Sequence, residues 1–282
     1  MKNEEVLEKV ERELKLLGHS PRTINSYLTY LNELFKFTGK IHSRILFEDI
    51  KKFLEHLSIE KNYSGSSLNL ARSAISFYYE KMLEKYTVSK IRVKKVGKKL
   101  PNVLTKQEVK RIIDAASNLR DKLIIQMMYS CGLRVSEAVN IKLEDLDTSR
   151  LTGIVRSGKG NKDRVIQLNP PLVNSIESYV KTKKLPSMFL FSKSNGTPYT
   201  IRTFQIIIKK LAEKAGITKR VHSHIFRHAF GTHLVEKGID IVRVQGMMGH
   251  SNLETTKLYI NLSKEQFKGV GNLLDDLDKD EN

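Results

Sequence analysis

Apolar residues recur every three or four positions through the first 88 residues, a spacing that is typical of helices with one buried face. We predict four helices. The first begins near Asn3, the second begins at Ser20-Pro21, the third covers about residues 47–57 and the fourth covers about residues 66–85. Ser20 is placed to cap the second helix, and a proline suits its first turn. The apolar positions of that helix are Ile24, Tyr27, Leu28, Leu31, Leu34 and Phe35.

The helical pattern gives way to a basic segment at residues 89–103. Its six basic residues occur with no acidic residue among them, and Pro101 follows. We predict a linker here, which is either a solvated tether or a strap along a polyanion. The basic residues are Lys90, Arg92, Lys94, Lys95, Lys98 and Lys99.

A second domain is predicted over residues 104–282. Thr105 and Glu108 have the spacing of a capping box, and helix should continue to about Ser130 with Gly132 as its end. Residues 151–168 alternate between polar and β-branched positions around a Gly/Asn loop, which predicts a hairpin. Residues 189–191 are a candidate third strand.

The pattern returns to helices after Thr200. Ser223 is placed to cap a helix that Gly238 would end, and Asp240 begins a second helix that Gly249 would end. The spacing of Ser251 and Glu254 predicts a further capping box. The predicted fold is therefore mainly α: a helical N-terminal domain over residues 1–88, then a mostly helical domain with a small antiparallel β-sheet.

Composition adds a strong positive charge to this picture. Lys and Arg total 49 against 31 Asp and Glu, a formal net charge of +18. A basic surface can serve solubility alone, but this clustered excess favours a polyanionic partner that is bound in a salt-sensitive way. The single cysteine, Cys131, allows no disulfide within the chain and lies in an apolar stretch, so we expect it in the core. We find no membrane-spanning stretch or signal peptide and expect a cytoplasmic protein.

Two pairs of residues can bind a phosphate. His224 and Arg227 are three residues apart, so they share one face of a helix close to its start, where an anion is favoured. Arg134 is expected at the start of another helix, with Glu137 three residues later to brace it. Each pair by itself is weak evidence for a phosphate site, because a surface helix can carry such residues by chance.

Three further residues complete the candidate set. Lys159 lies in a Gly-Lys-Gly loop at the tip of the predicted hairpin, where it is either solvated or able to reach a DNA groove. His250 follows the predicted helix end, and Tyr259 lies nine residues later, either as a half-buried aromatic or as a reactive phenol. His222, His224, His228 and His233 could suggest zinc, but no cysteine or His-Glu-x-x-His motif accompanies them. We predict no metal.

In order, these residues resemble the tyrosine recombinase family. The segments that carry the resemblance are CGLRVSEAVNIKLEDLD, SGKGNKDRVIQL and HIFRHAFGTHLVEKGIDIVRVQGMMGHSNLETTKLY. The chain length and helical N-terminal region are similar to the Xer subgroup. Ser223 stands where many relatives have proline, and Ile260-Asn261 stands where Thr-His is frequent.

The resemblance implies a role for each residue. Tyr259 would attack the scissile phosphate to give a 3′-phosphotyrosine, and Lys159 would protonate the leaving 5′-oxygen. Arg134 and Arg227 would bind the non-bridging oxygens, with Glu137 orienting the former. His224 would assist proton transfer at the tyrosine, and His250 would donate to the phosphate. No cofactor is implied, because side-chain cations do the work of a metal and the bond energy is retained.

The same resemblance implies double-stranded DNA as the partner. A core-binding domain, basic linker and catalytic domain would clamp a short palindromic site, with four protomers on two sites and a monomer or dimer when free. Resolution of chromosome dimers is the implied role. The alternatives are a mobile-element integrase, a type IB topoisomerase and a non-catalytic architectural protein. A final helix bearing Phe267, Val270, Leu273 and Leu274 would dock on a neighbouring protomer or on its own domain.

Overall fold

The structure is a computed structural model that describes residues 2–94, 102–156, 163–183 and 185–249. The chain forms two compact units, Met1–Lys99 and Leu100–Asn282. Each unit has its own cluster of buried apolar side chains. None of the described helices is long and apolar enough to cross a membrane.

The N-terminal unit is helical, as predicted. Its helices are α1 (Asn3–Leu16), α2 (Pro21–Thr38), α3 (Phe47–Ile59) and α4 (Gly65–Ser76), with short 3₁₀ turns at His42–Arg44 and Val88–Lys90. The side chain of Ser20 accepts a hydrogen bond from the Thr23 amide, which confirms the predicted cap of α2. Gly39, with a φ of 62°, ends that helix in the left-handed region.

The fourth helix differs from a regular α-helix at its end. It continues as a π-helix over Phe77–Met82, in which three consecutive aromatic residues are buried. The hydroxyl of Tyr78 shares a hydrogen bond with His42 Nδ1 at 2.7 Å, and that of Tyr79 donates to the His42 carbonyl at 3.0 Å. The widened turn lets adjacent aromatic side chains enter the same core, where their hydroxyls find partners.

The first part of the basic segment is attached to the N-terminal unit. Arg72 Nη1 donates to the carbonyls of Ser89 (3.2 Å) and Ile91 (2.8 Å). Ile91 and Val93 pack against the core of this unit. The described part of the predicted linker is therefore held in place. Its basic residues Lys90, Arg92 and Lys94 are exposed, whereas Lys95, Lys98 and Lys99 lie outside the described residues.

The C-terminal unit is built around a buried central helix, α6 (Leu119–Ser130). Five of its apolar side chains are fully buried because α6 contacts helices on several sides, α8 and α10 among them. The other helices are α5 (Lys106–Asp114), α7 (Val135–Asn140), α8 (Pro170–Lys181), α9 (Ile201–Lys214), α10 (Ser223–Glu236) and α11 (Ile241–Met248).

A small antiparallel sheet completes this unit. Its strands are β1 (Leu146–Asp147), β2 (Thr152–Val155) and β3 (Arg164–Gln167), in the order β1-β2-β3. The β2-β3 hairpin has the predicted position and pairs Val155 with Arg164 at the end next to the residues that connect the two strands.

The prediction of a third strand at residues 189–191 is wrong. Leu146–Asp147 supplies the third strand, while Phe189 makes an isolated bridge with Lys142 and Leu190 donates to the Ile141 carbonyl. A two-residue strand has no alternation that a sequence pattern could reveal.

Helix ends follow the sequence in most places. The Thr105–Glu108 capping box is present, and Asp240 caps α11 by accepting from two amides. The prediction that Ser223 caps α10 is wrong, because His222 occupies the cap position without a side-chain bond and Ser223 is the buried first residue. Gly238 follows the end of α10 with a φ of 80°.

Gly132, which follows α6, has no space for a side chain. Its φ is 57°, and an added Cβ would lie 2.5 Å from Cδ1 of Phe230. We expect Gly132→Ala to lower the free energy of unfolding by about 1–2 kcal/mol for the left-handed backbone and by roughly 1–3 kcal/mol more for overpacking. Urea denaturation measures the sum.

Gly216→Ala is the matched control for this prediction. Its φ is 65°, but nothing lies within 4 Å of an added Cβ. It should show only the backbone cost. Equal losses in the two variants would contradict the close approach of Phe230.

Candidate active site

Arg134 lies where the sequence predicts it, at the start of α7. Its backbone amide donates to Glu137 Oε2 at 2.8 Å, and its Nη1 donates to Glu137 Oε1 at 2.5 Å. The side chain of Glu137 is almost fully buried, whereas that of Arg134 keeps 17% of its surface exposed. The predicted contact is present, and it holds the guanidinium at the surface of the unit.

A second arginine, Arg164 at the start of β3, binds the same carboxylate. Its Nη1 donates to Glu137 Oε1 at 2.9 Å and its Nη2 to Oε2 at 2.7 Å. Our sequence interpretation missed this residue, although a signal was available. Arg164 is in phase with the buried Ile166, whereas Val165 between them is 65% exposed. An arginine on the buried face of a strand needs a carboxylate partner.

The two arginines determine the charge state of Glu137. Burial alone would raise the pKa of Glu137, but the hydrogen bonds and positive charge of Arg164, followed by the bonds from Arg134, lower it to about 2. The carboxylate therefore stays ionised at every physiological pH. It forms the fixed negative centre of a cationic site.

This depressed pKa predicts an acid-sensitive contribution to stability. From its ordinary value of 4.5 to about 2, the shift corresponds to roughly 3 kcal/mol. Because the folded-state pKa is the lower one, the contribution is present above pH 4.5 and is lost as pH falls towards 2. Urea denaturation between pH 6 and 3 should show a steeper loss for wild type than for Glu137→Gln.

Glu144→Gln serves as the control for that titration. Glu144 is exposed and pairs with Lys142 at 3.0 Å. Its substitution should leave the pH dependence of the wild-type protein almost intact. Parallel curves for wild type and Glu137→Gln would contradict the assignment.

Arg227 lies on α10 and connects two segments of the site. Its side chain is buried, with only 4% of the residue exposed. Nη1 donates to the carbonyl of Gly132 at 2.6 Å, and Nη2 donates to the carbonyl of Met248. Arg227 thus anchors the loop that leads into Arg134 and the end of α11.

His224 lies one turn before Arg227 and close enough to Arg227 and Arg134 to be affected by their charges. Desolvation lowers its pKa, and the positive charges of His222, Arg227 and Arg134 lower it further, while Glu137 acts in the opposite direction. Although much of the residue surface is exposed, the ring is partly desolvated by its neighbours, so the imidazole is neutral at pH 7 and can accept a proton. The structure thus brings His224, Arg227, Arg134 and Glu137 together from distant parts of the sequence.

Other histidines of this segment have structural contacts. Nδ1 of His233 lies 2.8 Å from the hydroxyl of Tyr129, and the two rings meet edge to face. Burial lowers the pKa of both His228 and His233. Among the residues that the structure describes, no three His, Cys, Asp or Glu side chains are grouped to hold a metal.

Three predicted site residues, Lys159, His250 and Tyr259, lie outside the described residues, as do the Ser251–Glu254 capping box and the final helix. The chain leading to His250 is described as far as Gly249. Gly249 ends α11 with a φ of 61°, and an added Cβ would lie 3.0 Å from Cδ of Arg164. The segment before His250 is therefore packed against the arginine that holds Glu137.

Two sequence families match the chain. The Phage integrase family matches residues 102–266, which include every candidate catalytic residue. The family described as Phage integrase, N-terminal SAM-like domain, matches residues 6–87.

Curated proteins match along nearly the whole chain. Tyrosine recombinase XerA of Pyrococcus horikoshii is 38% identical over 269 residues, covering 94% of this chain and 92% of the relative. Tyrosine recombinase XerD of Staphylococcus saprophyticus is 34% identical over 275 residues, covering 91% of this chain and 90% of the relative.

Solved structures show the same similarity. A crystal structure of XerA recombinase is 29% identical, with a TM-score of 0.56 over 94% of this chain and 97% of that one. XerH bound to palindromic difH substrate in a post-cleavage complex gives a TM-score of 0.73 at 22% identity, over 94% of this chain and 82% of that one. A lambda integrase dimer bound to a COC′ core site gives a TM-score of 0.74 at 19% identity, over 92% of this chain and 95% of that one. At 22% and 19% identity, the similarity to the XerH and lambda integrase structures shows a shared fold.

Proposed function

This chain belongs to the phage integrase family and is a site-specific tyrosine recombinase; from this we propose that Tyr259 is its nucleophile. Five further side chains bind and activate the phosphate that Tyr259 attacks. The six residues are Arg134, Lys159, His224, Arg227, His250 and Tyr259. Glu137 supports them by orienting Arg134.

The reaction exchanges one ester bond for another. The phenol oxygen of Tyr259 attacks phosphorus and forms a 3′-phosphotyrosine, while the bond to the 5′-oxygen breaks. His224, which is neutral at pH 7, accepts the phenol proton, and Lys159 gives a proton to the leaving 5′-oxygen. The arginines neutralise the charge that builds on the non-bridging oxygens. Reversal with a 5′-hydroxyl from another strand rejoins the DNA without ATP.

The convergence of His224, Arg227 and Arg134 carries this proposal. Two of them lie in the first turns of α10 and the third at the start of α7, at least 90 residues earlier in the chain. The positive charges of Arg227 and Arg134 both act on the imidazole of His224 and lower its pKa. Two guanidinium groups and a neutral imidazole brought together in this way can bind a phosphodiester and accept a proton beside it.

Double-stranded DNA is the partner of the protein, and we propose a short palindromic site within it. Four protomers would assemble on two such sites, with resolution of chromosome dimers as the biological role. The name of the solved XerH complex, with its palindromic difH substrate, and the Xer names of the relatives support this.

Genomic DNA tests this proposal. The protein is incubated with DNA from its own cells, and the ends attached to protein are sequenced. We expect junctions at one short, nearly palindromic sequence. Junctions scattered over the genome would contradict site-specific recombination and favour supercoil relaxation.

The exposed start of the basic linker is proposed to follow a DNA backbone. Neutralising Lys90, Arg92 and Lys94 together should weaken binding and reduce the dependence of log affinity on log salt, by about 0.9 for each phosphate that the variant no longer neutralises. Fluorescence anisotropy over a salt series measures this slope.

Arg12 and Lys15 on α1 provide the control for the linker variant. They are exposed cations that pair with Glu8 and Glu11 on the same helix. Replacing both with alanine should leave the slope close to that of wild type. An unchanged slope in the Lys90, Arg92 and Lys94 variant would remove the linker from the DNA.

A further inference from the structure

Arg164, at the start of β3 on one side of the small sheet, is buried and bound to Glu137. Its side chain is 8% exposed and makes two charge-assisted hydrogen bonds, one to each oxygen of Glu137. Its Nε is buried without a partner among the described residues, and its Cδ lies beside Gly249. One side chain thus connects β3, α7 and the end of α11.

The carboxylate of Glu137 has no capacity left for a second two-pronged contact. Oε1 accepts from Nη1 of both Arg134 and Arg164, and Oε2 accepts from the Arg134 amide and from Arg164 Nη2. A carboxylate offers about four lone-pair sites. Within the described residues, the Arg134 side chain therefore makes a single hydrogen bond to Glu137.

The number of bonds to Glu137 matters because, in the proposed mechanism, the Arg134 guanidinium must also bind the scissile phosphate. A guanidinium carries about five N–H donors, and it pairs preferentially with a carboxylate through two of them. Arg164 already occupies the two-pronged geometry on Glu137. Arg134 is consequently oriented by one donor and has others that can face a phosphate.

We propose that Arg164 is a positioning residue for catalysis: by occupying both oxygens of Glu137, it prevents that carboxylate from capturing the Arg134 guanidinium. Without Arg164, the buried and ionised Glu137 would keep Arg134 as its one cationic partner within the described part of the chain. The guanidinium would turn inward to form two bonds. The transition state would lose the donor, although DNA could still bind through the rest of the surface.

The inference rests on the proposed role of Arg134 and is tested by a double-mutant cycle. The variants are Arg164→Met, Glu137→Gln and both together, and the readouts are the single-turnover rate of covalent adduct formation at saturating DNA and the Kd for DNA. Residues that orient the ligands of metal sites give a comparison, because their mutation typically lowers activity about 10–100-fold. We expect Arg164→Met to lower the rate by this factor with little change in Kd.

The double variant distinguishes positioning from general structural damage. The glutamine amide that replaces the Glu137 carboxylate would be uncharged and would have one acceptor oxygen, so it could not hold Arg134 through two hydrogen bonds. The double variant should therefore form adduct about tenfold faster than Arg164→Met alone. A double variant no faster than Arg164→Met would overturn the proposal, as would a Kd that rises as much as the rate falls. Arg120→Met is the matched control, since this part-buried arginine pairs with Asp121 at 2.8 Å and does not contact Glu137; its rate should equal that of wild type.

Arg164→Lys keeps the test decisive if the methionine variant does not fold, which thermal unfolding reports. A lysine reaches one carboxylate oxygen at a time, so the variant should form adduct more slowly than wild type at the same Kd. A wild-type rate in Arg164→Lys would overturn the proposal. Absence of any adduct with wild-type protein would instead contradict the proposed function, which separates the two failures.

Discussion

Tyr259→Phe is expected to abolish covalent attachment to DNA while leaving DNA binding intact. The substitution removes only the phenol oxygen, which is the atom that forms the new bond to phosphorus. The aromatic ring is retained. A suicide substrate nicked near the cleavage position traps the adduct in wild type, and denaturing electrophoresis detects it.

Tyr199→Phe provides a control in the same unit. The Tyr199 hydroxyl accepts a hydrogen bond from Arg120 at 3.0 Å, and neither residue belongs to the candidate site. Its loss should cost about 1 kcal/mol of stability and leave adduct formation in place. Adducts that persist in Tyr259→Phe would show that another residue is the nucleophile.

Arg134→Gln should produce the second large effect, on the rate of the chemical step. Loss of one donor to a charge that develops in the transition state costs roughly 3–4 kcal/mol, which is about 10²–10³ in rate. Arg134 suits this test because its side chain is partly exposed and the substitution leaves no hole in the core. Arg227 is less suitable, because its buried guanidinium also holds the Gly132 and Met248 carbonyls together.

The measurement is the single-turnover cleavage rate with DNA in saturating excess over Kd. Thermal unfolding accompanies it, because Gln at this position leaves Glu137 with Arg164 as its charged partner among the residues that the structure describes. Arg134→Lys should recover only part of the rate, since an ammonium cannot reproduce the planar donor pair. A rate within threefold of wild type in Arg134→Gln would remove this residue from the transition state.

Local signals predicted much of the fold. The Thr105–Glu108 capping box, the Asp240 cap and the β2-β3 hairpin all depend on residues that are close in the sequence, and the structure contains them. The errors have local causes too. Ser223 has the chemistry of a cap, but tertiary packing buries it, and the extended residue is His222.

The site was predicted in part. Spacing alone places His224 and Arg227 on one face, and Arg134 beside Glu137. Arg164 required a different kind of reasoning, because its partner lies 27 residues away and only its phase on β3 indicates burial. The roles of Lys159, His250 and Tyr259 stay predictions that the order of residues in the family supports.

A structure of the protein bound to its cleavage site tests the central claim most directly. We predict that the Tyr259 oxygen lies about 3–3.5 Å from one phosphorus. The Arg134 and Arg227 guanidinium groups should donate to the non-bridging oxygens of that same phosphate. A phenol directed away from the phosphate, with the two guanidinium groups at separate phosphates, would contradict the account.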